Sequence, residues 1–207
     1  WEAEFRSPAL HLAARALAAR TTVDDSPLML ALFALALTRI TGINPVVVQV
    51  VVSNRFRPGL AETVSPVNQT GLCVLDIADL SVVDAIRHTA KRALVAYKYA
   101  YYDPVRLDEL VARHGRERGE DLDIACYFND RRAFGARPEP PDRDSVAGSE
   151  FRWNRRQDDP WERLFLHVEN VPGTAALTLC ADTHYLSPHH MEALVRGMEA
   201  VAVEAVR

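Results

Sequence analysis

The chain has 207 residues, 48% of them hydrophobic, and its 24 lysines and arginines against 28 aspartates and glutamates leave a net charge of −4 at pH 7. That much apolar content at this length supports one compact domain, or one lobe of a larger unit, and excludes a disordered chain or a minimal stapled scaffold. The slight acidity, with basic residues scattered rather than striped among aromatics, argues against nucleic-acid binding.

Arginine supplies almost all the positive charge, Lys91 and Lys98 being the only lysines. Cys73, Cys126 and Cys180 are an odd number at wide spacing inside apolar runs, which reads as reduced, buried thiols of a cytoplasmic protein. No CxxC pair or His/Cys cluster has metal-ligand spacing, so no metal is expected. No apolar stretch reaches bilayer length and no signal-like segment follows Trp1, so the expectation is a soluble chain with no membrane partner. A start on tryptophan reads as the loss of residues upstream.

Ser7-Pro8 is a cap followed by proline at the first helical position, and Leu10, Ala13, Ala14 and Leu17 recur at helical spacing, predicting a helix to about Arg20. Ser26-Pro27 repeats that signal before an apolar run from Leu28 to Ile40 that Gly42 stops, so this helix is expected to be buried. Val46 to Val52 reads as a strand covered on both faces, at a sheet centre. A second strand, Leu72 to Ile77, follows a turn-rich segment with Pro58-Gly59 and Pro66. Ser81 caps a long helix whose apolar stripe is Val82, Val83, Ile86, Ala90, Ala93, Leu94, Tyr97 and Tyr101, and Asp103-Pro104 ends it.

A short helix from Leu107 to about Arg113 precedes a strand from Leu122 to Phe128. Residues from Asp130 to Pro160 are rich in proline and charge, with only Phe151 to Trp153 extended, and read as a long crossing or substrate-facing loop. Leu164, Leu166 and Val168 alternate with Phe165, His167 and Glu169, and after Pro172-Gly173 a second strand, Ala175 to Asp182, completes an antiparallel hairpin. The last helix, Pro188 to Val206, buries Met191, Leu194, Val195, Met198, Val201, Ala202 and Ala205. The sum is an α/β fold of α+β sandwich type, with a mixed, largely antiparallel sheet flanked by helices across 1–207. No glycine-rich phosphate loop follows a strand, so kinase and Rossmann readings lack support.

The order of these elements resembles the condensation domains of nonribosomal peptide synthetases. Ser26 to Arg55 is similar to that family's apolar helix, threonine-glycine stop, valine-rich strand and asparagine-arginine pair. Ser65-Pro66-Val67-Asn68-Gln69-Thr70 with Leu72 resembles its glycine-x-phenylalanine-valine-asparagine-threonine motif, with Ser65 for glycine and one extra residue before the threonine. Tyr97 to Leu107 lies where the family has histidine-x-x-proline-phenylalanine; Pro104 is kept, while Tyr101 and Val105 replace the histidine and phenylalanine. Ile124 to Asn129 and Tyr185 to Val206 are similar to the strand after that motif and to the closing helix.

The resemblance covers nearly the whole chain and implies the C-terminal lobe of a two-lobed, chloramphenicol-acetyltransferase-like fold. It implies a tunnel between lobes that admits two phosphopantetheine arms of carrier proteins, and amide formation by aminolysis of a thioester. No cofactor would be bound directly; the partners would be the N-terminal lobe and the peptidyl and aminoacyl carrier proteins. The catalytic histidine, in a His-His-x-x-x-Asp-Gly motif, belongs to that N-terminal lobe, so no catalytic residue is expected in this chain. His189-His190 does not fill the role, because Leu194 and Val195 stand where aspartate and glycine are needed and the pair opens an amphipathic helix.

The site candidates are Asn54, Arg55, Ser65, Asn68 and Gln69, placed along the tunnel or the lobe interface. Asn54-Arg55 ends a strand, where a sheet presents groups to a ligand, and an arginine there equally well satisfies loop carbonyls. Asn68 either donates to a substrate amide or fixes a bulge. Asp182 with His184 reads as a strand-end hydrogen bond before an acid/base dyad, and Cys180 has nothing nearby to activate its thiol. Three functions stay open: an amide-forming enzyme lobe, a non-catalytic platform for carrier proteins or tailoring enzymes, and an ester-forming acyltransferase. A lone lobe would expose its apolar partner face and self-associate.

Overall fold

The computed structural model describes residues 1–132, 148–157 and 163–207. In chain order the elements are β1 (Glu2–Ser7), α1 (Pro8–Thr21), α2 (Asp25–Thr41), β2 (Val46–Val52), β3 (Gln69–Leu75), α3 (Val82–Tyr99), α4 (Pro104–Arg118), β4 (Cys126–Asp130), β5 (Glu150–Arg155), β6 (Leu164–Glu169), β7 (Ala175–Ala181) and α5 (Pro188–Ala205). The strands form one sheet in the order β3-β2-β4-β6-β7-β1-β5. β2, β4 and β6 run parallel to one another, and every other neighbouring pair is antiparallel. The mixed, largely antiparallel sheet with helices is the α/β fold the sequence implies.

Each strand alternates between two environments. Val48, Val50, Phe128, Leu164, Leu166, Val168, Leu177 and Leu179 point to the face covered by α1, α2, α3 and α5, and with those helices form the core. Gln49, Tyr127, Phe165, His167 and Thr178 point the other way, as register requires. All ten residues from Leu28 to Leu37 are buried, so α2 is the central helix, packed between α3 and α5. Its apolar surface on every side predicted this.

Helix starts follow their caps. The Ser7, Ser81 and Ser187 hydroxyls accept from the amides of Leu10, Asp84 and His190, which satisfies first-turn donors of α1, α3 and α5. α2 begins one residue before Ser26, after Asp24. α4 is longer than the predicted 107–113 helix, and none of its residues is fully buried.

Several expectations need correction. The first residues form β1, an interior strand between β7 and β5; its burial comes from partners about 150 to 180 positions away in sequence, beyond the reach of local pattern. β2 lies second from an edge rather than at the sheet centre, because β3 pairs with it and ends the sheet. β3 starts at Gln69, earlier than Leu72, and β4 covers Cys126–Asp130 rather than 122–128, with Asp121 to Ala125 leading in ahead of the ladder. Within the predicted stripe of α3, Leu94 is exposed, and Tyr101 is exposed beyond the helix end. The expected 130–160 loop contains β5, and its residues 133–147 and 158–160 lie outside the described residues.

Candidate functional site

The carboxyl ends of parallel strands are where an open α/β sheet presents groups to a ligand, because the chain leaves the ladder there and its loops part. Here the ends of β2 and β4 open into a crevice of about 220 Å³ lined by Val51, Ser53, Arg55, Pro66, Val67, Asn68, Asn129, Asp130 and Arg131. The strand ends supply Val51, Asn129 and Asp130, and the segment leading into β3 supplies Pro66, Val67 and Asn68.

The five sequence candidates divide. Arg55 and Asn68 line the crevice, and Asn68 is exposed there. Arg55 also donates to the carbonyls of Leu60 (3.4 Å), Ala61 (3.2 Å), Thr63 (3.0 Å) and Ser65 (3.3 Å), gathering the 55–65 loop around one guanidinium. Ser65 is exposed and is held through its backbone.

Asn54 and Gln69 instead tie the segment after α3 to the sheet. Asn54 is fully buried in left-handed geometry (φ 57°); its amide donates to the Ala100 carbonyl (2.7 Å), and its oxygen accepts from Arg57 Nε (3.0 Å). Gln69 donates to the Tyr102 carbonyl (2.7 Å) and accepts from the Tyr102 amide (3.2 Å). Asn54→Ala should cost about 1–3 kcal/mol, because it strands a buried carbonyl and leaves a branchless but β-carbon-bearing residue in left-handed geometry. Urea unfolding measures this; Asn54→Gly, which relieves the backbone but not the lost bond, should recover only part of the loss.

Beside the crevice runs a polar network that the five candidates omit. Gln49 donates to the Ile124 carbonyl (2.9 Å) and to Tyr127 Oη (3.0 Å), and accepts from Thr70 Oγ1 (2.6 Å), which lies 3.2 Å from Tyr102 Oη. The network borders a cavity of about 380 Å³ under α4, walled by Leu107, Val111 and Leu122. The signal for it was in the sequence: Gln49 is the one polar residue in the β2 run. Ser53, Asn129 and Arg131 were missed because only the pairing of β2 with β4 brings them together.

Farther along the open face, Arg131 Nη1 pairs with Glu169 (2.9 Å), and its Nη2 lies 3.4 Å from His167 Nε2. Burial, with the Arg131 charge beside it, lowers the His167 pKa to about 4. Past Asp130 lies a larger hollow of about 670 Å³ between α1, the start of α2 and the β6–β7 turn. Its charges face one another: Arg132 grips Asp130 with two bonds (2.9 and 2.6 Å) and approaches Asp25 (3.9 Å).

The remaining tempting residues do local work. His189 and His190 are both exposed in the first turn of α5, and the His190 ring meets the Ser187 hydroxyl at 3.1 Å. Asp182 accepts from the His184 amide (3.0 Å) and meets its ring (2.8 Å), a turn at the strand end; the amide bond is the main cause of its lowered pKa. Burial pushes the Cys73 and Cys180 thiols up to about 11 and Cys126 to about 12, the reverse of nucleophile activation. Among the described residues, no three His, Cys, Asp or Glu side chains converge to hold an ion, and no helix is long and apolar enough to cross a membrane.

No protein-family model and no curated protein matches the chain. Solved structures do. The first condensation domain of the CDA synthetase is 15% identical with a TM-score of 0.66, over 99% of this chain and 45% of that one. The structure reported for condensation domain-mediated chain release from the enacyloxin polyketide synthase is 15% identical with a TM-score of 0.67, over 99% and 41%. The PapA2 acyl transferase is 12% identical with a TM-score of 0.68, over 99% and 45%. The chain thus has the fold of one condensation-domain lobe, and spans less than half the length of each of these structures.

Proposed function

We propose that the chain is the C-terminal lobe of a condensation domain that forms amide bonds, one wall of a tunnel whose catalytic histidine comes from an N-terminal lobe. The donor acyl group and the acceptor amine each arrive on the phosphopantetheine arm of a carrier protein. The amine attacks the thioester carbonyl, the carbon–sulfur bond breaks and the pantetheine thiol leaves, while the histidine positions the amine or takes its proton. In this reading Asn68, Asn129 and Ser53 offer the amide and hydroxyl groups that fix a substrate amide, and Arg131 sets the charge at the crevice mouth.

One observation carries the reading: the crevice at the carboxyl ends of β2 and β4 is polar yet lacks a free acid/base pair. Among the described residues its one carboxylate, Asp130, is held by Arg132, and its lining contains no histidine. Such a surface binds and orients; the proton chemistry must come from outside it.

A platform that only docks carrier proteins or tailoring enzymes is the second reading. It is favoured by Tyr101 and Val105, which replace the family's histidine and phenylalanine and are both exposed. An ester-forming domain would differ in taking a hydroxyl acceptor.

The gene product that carries this chain is incubated with an acyl-loaded carrier and either an amine or a hydroxyl acceptor, and products are followed by mass spectrometry. Amide supports the proposal, ester the third reading, and intact thioester in both the platform. In the amide-forming protein, Asn68→Ala should lower kcat/KM about tenfold, while the double change His189→Ala and His190→Ala should stay within about twofold.

A further inference from the structure

On one surface, several exposed apolar side chains lie among basic side chains that form no salt bridge. On α3, Lys91, Leu94, Val95 and Lys98 fall at positions i, i+3, i+4 and i+7, one stripe of the helix. Leu94 is 69% exposed and Val95 49%, large apolar side chains at the centre of that stripe. Beyond the helix end, Arg57 lies over both the Phe56 ring (5.4 Å) and the Tyr101 ring (4.9 Å), and donates to the Lys98 carbonyl (3.0 Å). Phe56, Tyr99 and Tyr101 are all more than half exposed, and they extend the stripe into a ledge.

The ledge is positively charged in a chain of net charge −4. No acidic residue occurs between Arg87 and Tyr102, and both lysines of the chain are here. Among the described residues Lys91, Lys98 and Arg57 form no salt bridge, so no paired carboxylate offsets their charge. Sequence alone showed no basic-aromatic stripe because Phe56 and Arg57 join Tyr101 only through the fold.

We propose that this ledge docks an acidic amphipathic helix of a partner protein. An apolar seam flanked by cations on a convex helix fits an apolar seam flanked by carboxylates on a second helix. A nucleic acid or an anionic membrane fits less well, because the acidic remainder of the chain repels a polyanion. The inference is independent of catalysis and holds whether the domain forms bonds or only assembles.

The lysine count gives a direct readout. Reductive methylation with a carbon-13 label keeps the lysine charge and marks only Lys91, Lys98 and the terminal amine of Trp1. The labelled full chain is titrated with a helical peptide of about 18 residues that carries a leucine stripe flanked by glutamates. The expected result is saturable shifts of both lysine signals but not of the terminus, binding that weakens with salt, and a loss of about tenfold or more in Leu94→Asp and Lys98→Glu.

Unmoved lysine signals, or equal binding of a peptide with lysine in place of glutamate, would overturn the proposal. So would tighter binding of single-stranded DNA or of phosphatidylserine vesicles at the same lysines, or lysine shifts that grow with chain concentration alone, the sign of a second copy. Failure of Lys91 and Lys98 to be methylated in the unpartnered gene product, when both are labelled after unfolding, would overturn it as well, by making the ledge an internal contact.

Discussion

Gly71→Ala should destabilise the chain by about 3 kcal/mol or more, the largest effect expected of any single-methyl change here. Gly71 is the third residue of β3, paired with Val50, and faces α3. A β-carbon there would collide with the Ala96 carbonyl oxygen and come within 2.7 Å of its carbonyl carbon. Both are helix backbone, so no rotamer change relieves the clash; β3 must move off α3 or α3 must shift on α2. Urea unfolding measures the loss, and a change under about 1 kcal/mol would mean that strand and helix are not this close.

Acidification should remove roughly 2–4 kcal/mol of stability through His167 alone, given its folded pKa of about 4. The imidazole is buried in the open face, stacked on Phe165 at 4.0 Å, with Arg131 at Nε2 and no partner for Nδ1 among the described residues. Its neighbours across the ladder are Asn129 on β4 and Thr178 on β7, and the nearby charge pair is Arg131 with Glu169. A second ring proton would meet the Arg131 charge.

The folded pKa lies below the ordinary 6.5, so between the two values the unfolded chain binds more protons and stability rises with pH. The contribution is complete above about pH 6.5, drains as pH falls, and is lost near pH 4. Unfolding free energies from pH 7 to 4 should show that slope, and His167→Gln should flatten it. An equal slope in the variant would assign the acid sensitivity to the carboxylates instead.

How much of this was legible follows from what local sequence encodes. β2 was read to the residue, and α2 and α5 nearly so, because their apolar patterns are long and, for α5, the Ser187 cap is explicit. The α3 stripe was right at Ile86 and Ala93 but missed Ala85, Thr89 and Ala96. The buried positions of α3 are Ala85, Ile86, Thr89, Ala93 and Ala96, mostly small, and at Ala96 the helix backbone meets Gly71. Leu94, in the predicted stripe, is outside.

Gly71 itself pointed to that close approach, yet a strand begun at Leu72 left it out of view. β1 has only Ala3 and Phe5 as apolar residues, too few to declare a strand without β7 and β5 beside it. Among the site candidates, strand-end position was readable but partner identity was not. Asn54 and Gln69 spend their amides on Ala100 and Tyr102, contacts set by how α3 returns to the sheet.

The measurement that tests the central claim most directly is thioester aminolysis by this chain with and without an N-terminal lobe carrying His-His-x-x-x-Asp-Gly. The account predicts no amide above the uncatalysed background from the chain alone, amide once that lobe is joined to it, and loss of product when the motif's second histidine is replaced by alanine. Amide formed by the chain alone at the rate of the joined protein would contradict it.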